Sequence, residues 1–265
     1  MKNYLIQATI NEVFKLIKNK LTYVYILMTL VTIIVLVLSV RFIESTNNTN
    51  MGYFSIVFSL QTFSTTIMPI MLLLFAANTV SSEKTNSTIR NILVSGCSKS
   101  QFIISKIIVS LMFQLILMVI VAITAIFISY ILFGFGNIAE DGFVIMAQHQ
   151  FWTQFVISYA LLIIVFFTTI LFGILITTIA QNNISSITIA ISSYIVLEII
   201  KIKLKIVAFI YSSYIEFPLN NLSELMEGFH ASWTPKLYYY LSVNIFWIFI
   251  FLFITLLAIK KQEFK

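Results

Sequence analysis

An all-α membrane domain is the fold class predicted by this chain, and three observations carry it. Sixty per cent of its 265 residues are hydrophobic and only ten per cent charged, too few polar side chains to cover a water-soluble globule of this length. Six apolar stretches approach or exceed the roughly 20 residues needed to cross about 30 Å of hydrocarbon. They are too long for membrane strands and lack the alternation of a barrel wall, so helices must satisfy their backbone groups.

In chain order, residues 1–20 place Ile6, Ile10, Val13, Phe14, Ile17 and Leu21 on one helical face, with Lys2, Asn11, Lys15 and Lys18 mostly elsewhere. That pattern predicts an interfacial helix. The competing reading is a signal peptide, but the following run, 21–40, is apolar throughout and lacks a small-residue cleavage site, so it is expected to stay as the first span. After a polar loop with Arg41 and Glu44 comes a second span, 54–80, containing Pro69, Gln61 and Asn78. The proline predicts a kink. The third span is 107–133, in which Gln114 is the one strongly polar residue and predicts an interhelical hydrogen bond.

A loop, 134–150, carries Glu140, Asp141 and His149. The fourth span, 155–180, has no charge, and only Gln181, Asn182 and Asn183 separate it from a fifth at 184–200, which makes the two an antiparallel hairpin. Glu198, near the end of the fifth, is placed to pair with Lys201 or Lys205. Residues 201–236 are less regular: Ile200 to Ile206 alternates with period two, which suits a strand, and 207–214 is apolar but too short to span. They read as a partly re-entrant or interfacial segment. The sixth span, 238–259, opens on three tyrosines at the membrane interface and is followed by Lys260 and Lys261.

Between the second and third spans lies the polar island 81–106. Ser81 or Ser82 carries a helix-start signature, and Ile89, Ile92 and Leu93 follow at helical spacing. Gly96 is expected to stop that helix and Ser98 to cap a new one running through Phe102 and Lys106. The result is a short amphipathic helix at the membrane surface, strung between two spans and open to a push from the water side. Cys97 has no cysteine partner in the chain and reads as a small filler residue.

Glu83, Asn86-Ser87-Thr88, Ile89 to Leu93, Ser95-Gly96, Ser98-Lys99 and Lys106 together resemble the cytoplasmic loop of type-2 ABC transporter permeases. The pattern is similar to that of small bacterial permeases that export, or protect against, antimicrobial peptides such as bacitracin and lantibiotics. Their loop reads Glu, Gly-Thr, Leu, Ser-Gly or Ser-Pro, Ser-Arg, then Lys at the next span; here Ser87 stands for the glycine and Lys99 for the arginine. The resemblance implies a coupling role for Glu83, Thr88, Arg90, Leu93, Gly96, Ser98 and Lys106, with Glu83 either capping the helix or pairing with a basic residue of a partner. It also implies an outer re-entrant segment before the last span, a second permease chain as homo- or heterodimer, and separate ABC ATPase subunits holding ATP and Mg.

Eleven of the sixteen Lys and Arg residues fall in the first 20 residues, the island and the carboxyl tail. The positive-inside bias therefore predicts both termini and the island in the cytoplasm of a bacterial cell membrane. Seven of the ten acidic residues lie elsewhere, a surface available to a cationic peptide. No G-x-x-x-x-G-K-[ST] phosphate loop occurs, so any ATP is expected in a partner. The two histidines, His149 and His230, have no metal-binding spacing, no Gly-x-Ser-x-Gly turn is present, and the scattered lysines flank spans rather than forming a nucleic-acid patch. No catalytic, cofactor or metal residue is expected in this chain. The reading is a single permease domain, 1–265, working with an ATPase; an energy-independent channel or a peptide-sequestering immunity protein is the alternative.

Overall fold

A computed structural model gives the structure and describes residues 4–43, 49–85, 96–140, 143–180, 183–204, 207–229, 233 and 236–261. The chain begins with α1 (Tyr4–Lys18), α2 (Lys20–Ile43), α3 (Thr49–Thr85) and α4 (Lys99–Phe133). A two-stranded hairpin, β1 (Ile138–Glu140) with β2 (Phe143–Met146), leads into α5 (Gln148–Ile179) and α6 (Asn183–Leu204). Two 3-10 turns, Val207–Phe209 and Tyr211–Tyr214, precede α7 (Phe217–Met226) and α8 (Lys236–Lys261). Among the described residues five helices are long and apolar enough to cross a membrane: Lys20–Phe42, Asn50–Glu83, Lys99–Phe133, Gln148–Ile179 and Lys236–Lys261. The chain is an all-α multi-pass membrane protein. Helix α6, 22 residues long, covers the residues of the expected fifth span and is not among these five.

Helices α3 and α5 form the centre of the bundle. In their apolar windows 61% and 67% of residues are buried, against 22% in α2 and in α8, whose outer faces are left uncovered by the rest of the described chain. Contact at the centre depends on small and polar residues, as helix packing in lipid requires. Gly173 of α5 lies against Leu73 and Ala76 of α3, so close that a Cβ would sit 3.2 Å from the Leu73 side chain. Gln114 of α4 donates to the carbonyl of Ile163 on α5 at 2.9 Å, the interhelical bond expected from the sequence. Ser55 and Ser129 join α3 to α4 at 2.7 Å, and Phe75 stacks on Phe113 with ring centroids 3.8 Å apart.

Three local expectations are corrected. Helix α3 contains Pro69 and extends to Thr85, so Ser81 and Ser82 start no helix. Ser81 is 1% exposed, and its packing inside the bundle overrides its tendency to cap. Residues 200–204 are helical, not extended; their alternation yields to continuation of α6, whose Glu198 and Lys201 pair at 3.0 Å one turn apart. The 134–150 loop contains the hairpin, which begins after Gly134 turns the chain at φ +70°. Asn50 clamps it by donating to the Ala139 carbonyl and accepting from the Ala139 amide, while Tyr53 donates to Gly136.

The bundle has two distinct ends. At one, α1 packs on the start of α4, and the Lys99 ammonium of α4 reaches the carbonyl of Lys260 near the end of α8 at 3.4 Å. At the other lie the hairpin and α7, the latter held to α3 by the Gln61–Asn220 hydrogen bond. Gln61 and Glu83 are 22 residues apart on α3, about 33 Å at roughly 1.5 Å per residue. That matches the hydrocarbon thickness of a bilayer, about 30 Å.

Candidate functional site

Helix α1 is amphipathic, and it turns its polar side toward the protein. Ile6, Ile10, Phe14 and Ile17 are each about half exposed, while Glu12 is 7% exposed and Ala8 and Leu16 pack against the core. The spacing 8, 12, 16 is one helical stripe. It lies against α4, leaving the apolar stripe for lipid.

Glu12 meets three other charges there. Lys15 binds Glu12 at 2.8 Å and also Glu83; Lys106 binds Glu83 at 3.2 Å and also Glu12. Each carboxylate thus contacts both ammoniums, which closes a ring of alternating charge. Glu12, Glu83 and Lys106 are buried at 7%, 5% and 2% exposure, whereas half of the Lys15 side chain remains accessible. Lys106 also lies 5.3 Å from the centre of the Phe102 ring. A cavity of about 60 Å³ adjoins the ring, lined also by Asn19, Thr22 and Asn78, roomy and polar enough for ordered water.

Burial opposes the charge on Lys15, but hydrogen bonds and attraction from Glu12 and Glu83 outweigh it and hold the ammonium above the ordinary lysine value. The stabilisation from this raised value is complete below the unfolded value of about 10.4 and is lost only as pH rises through the higher folded one. Its contribution is therefore constant through neutral pH. Buried ion pairs add little net stability because desolvation offsets attraction, but losing one partner strands the other at a cost of about 3–5 kcal/mol. What the ring provides is a fixed geometry. It ties α1 to the last turn of α3 and the first turns of α4, the two helices that bracket residues 86–95.

The other residues expected to couple are distributed as follows. Gly96 has φ +98°, a conformation that favours glycine, and a Cβ there would lie 3.2 Å from the Tyr4 ring of α1. Ser98 caps α4 by a capping box with Gln101: its hydroxyl accepts from the Gln101 amide at 3.2 Å and its amide donates to the Gln101 side chain at 3.0 Å. Thr88, Arg90 and Leu93, and with them most of the expected amphipathic helix, lie outside the described residues. Glu83 sits within α3, so it caps no helix start; its basic partners are Lys15 and Lys106 of the same chain. Cys97 is 6% exposed, and burial pushes its thiol up from the usual value. His149 is exposed at the start of α5, and His230 lies outside the described residues.

Sequence reasoning missed Glu12 and Lys15. The available signal was an acid on the face of α1 opposite its apolar stripe, three residues before a lysine.

Compared with known protein families, residues 8–196 match the family described as ABC-2 family transporter protein. The chain belongs to that family. This ABC-2 permease is therefore a membrane transport component, and the matched region runs from α1 into α6 and contains all four ring residues. None of the curated proteins matches the permease.

Proposed function

We propose that the permease is the membrane subunit of an ATP-driven exporter, with six spans and both termini in the bacterial cytoplasm, and that it expels an antimicrobial peptide or amphiphile. The chain pairs with a second permease chain, and two ABC ATPase subunits bind ATP and Mg at its cytoplasmic end. The observation that carries this reading is the charge ring, because it joins the surface helix α1 to both helices flanking the 81–106 connection. A push on that connection reaches α3, α4 and α1 together, since the buried charges cannot separate without stranding one another. Closure of the ATPases displaces the segment around Glu83, Thr88, Arg90 and Leu93, with Gly96 and Ser98 as its hinge and cap and Lys106 as its anchor. The displacement shifts α3 and α4 between inward-facing and outward-facing arrangements. Charge distribution supports the orientation, with eleven of sixteen Lys and Arg in the first 20 residues, the 81–106 segment and the carboxyl tail. The pattern of residues 83–106 supports the substrate class.

Purification in mild detergent tests the first part: a stoichiometric nucleotide-hydrolysing companion is expected. A chain that protects cells without one overturns the ATP-driven reading in favour of a channel or immunity protein. Replacing Glu83 by Gln or Arg90 by Ala is expected to leave ATP hydrolysis running while protection is lost, and unchanged transport in both variants removes the coupling role.

A further inference from the structure

At the end of the bundle opposite the charge ring, a cavity of about 460 Å³ opens between the second 3-10 turn, α7 and the start of α8. That volume lies within the range of about 300–1,000 Å³ typical of ligand sites. Two carboxylates, Glu216 and Glu224, line it, and both are exposed. Neither forms an ion pair with any described residue, and Lys236 is the one described cation in the lining, which leaves an excess of negative charge.

The wall is aromatic. Tyr214, Phe217 and Tyr239 line it, and Phe217 is braced edge-on by Trp233 at 5.9 Å and by the tilted ring of Tyr240 at 5.6 Å. The floor is anchored, because Leu219 and Leu222 of α7 are fully buried and Asn220 is bonded to Gln61. Asn221 points to a ligand independently of the acids. It lines the cavity at 3% exposure, and its side-chain nitrogen has no hydrogen-bond partner among the described residues. A buried donor left unmatched costs free energy until an acceptor arrives.

We propose that this cavity binds a segment of cationic peptide: an ammonium group between Glu216 and Glu224 against the aromatic wall, and a peptide carbonyl accepting from the Asn221 amide. The carboxylates select a cation and the orphaned donor selects an acceptor, and a lysine residue in a peptide offers both within a few ångströms. The choice of a peptide rests on the transport reading above; the place rests on the cavity alone.

The test uses the purified full-length chain in detergent, without nucleotide, and the fluorescence anisotropy of fluorescein-labelled trilysine amide, with triglutamine amide as the uncharged control. Saturable binding of trilysine is expected, weakened at least tenfold in E216Q/E224Q and absent for triglutamine. Nα-acetyl-lysine amide is expected to compete at least fivefold better than pentylamine, which carries the same ammonium without the carbonyl. Equal affinity of trilysine for wild type and E216Q/E224Q overturns the site, and equal competition by the two amines overturns the carbonyl contact. Binding lost in the double variant supports the site even where cells export no cationic peptide, an outcome that removes the transport reading alone. Unchanged export by E216Q/E224Q with unchanged trilysine affinity overturns the site and leaves transport standing.

Discussion

At one end of α3, Glu83 is 5% exposed and shares a closed ring with Lys15, Lys106 and Glu12; toward the other, Glu216 and Glu224 stand exposed around a cavity with no described ionic partner. The void beside the ring is about 60 Å³, and the one beside Glu216 is about 460 Å³. Charges that are buried must be paired, and pairing them across three helices fixes those helices relative to one another. Charges left solvated fix nothing and stay available to a ligand. The locked end suits the proposed transmission of a displacement, and the open end suits the proposed reception of a molecule.

The sharpest way to break this contrast is Lys106→Met. It strips Glu12 and Glu83 of a buried counter-charge while both still share the half-exposed Lys15, and an expected loss of about 3–5 kcal/mol appears as a lower melting temperature in detergent. The triple variant Glu12→Gln, Glu83→Gln, Lys106→Met removes the whole buried set, and stability is expected to return to near wild type, as when buried ion pairs are replaced together. Coupling to ATP is expected to remain lost in the triple variant. Cys97 reports the same opening. It is buried with a raised thiol pKa, so maleimide reacts slowly at neutral pH because little thiolate is present or accessible. Release of α1 in Lys106→Met is expected to speed labelling severalfold, and an unchanged rate shows that the ring does not hold α1.

A smaller effect is expected at the far end, where α3 approaches the close of α4. A Cβ on Gly52 would collide with the Gly134 carbonyl. Gly52→Ala is expected to cost about 1–3 kcal/mol through forced backbone movement, measured by thermal unfolding. Back at the ring end, Gly96→Ala strains a φ of +98° and crowds Tyr4, at about 1 kcal/mol.

These contrasts were unevenly legible in the sequence. The helical class, the Ser98 cap and the Gln114 bond could be read because each depends on local periodicity or on one polar group in an apolar run. The i,i+3 pair of Glu12 with Lys15 was local, but the ring they enter could not be read in advance, because Lys106 lies 94 positions from Glu12 and Glu83, reached through Lys15, lies 71 from it. The continuation of α3 through Ser81 and of α6 through Lys201 was misread for a related reason: the cooperativity and packing of a long helix outweighed a local capping signal worth about 1 kcal/mol and an alternation confined to one short run. The cavity was invisible because its acids, Glu216 and Glu224, are brought to one opening by α7, a ten-residue helix whose weak pattern sat in the least regular stretch.

The smallest stability effect belongs to the same two acids, and it is the most discriminating. Glu216→Gln with Glu224→Gln removes two charges that no described residue pairs, so the melting temperature without peptide is expected to change by less than about 0.5 kcal/mol equivalent. A loss as large as that of Lys106→Met places these carboxylates in a structural network instead, and the division between a locked end and a receiving end collapses. A small change without peptide, together with loss of the stabilisation that saturating trilysine gives the wild type, keeps the division, since a ligand that binds only the folded chain raises its melting temperature by mass action.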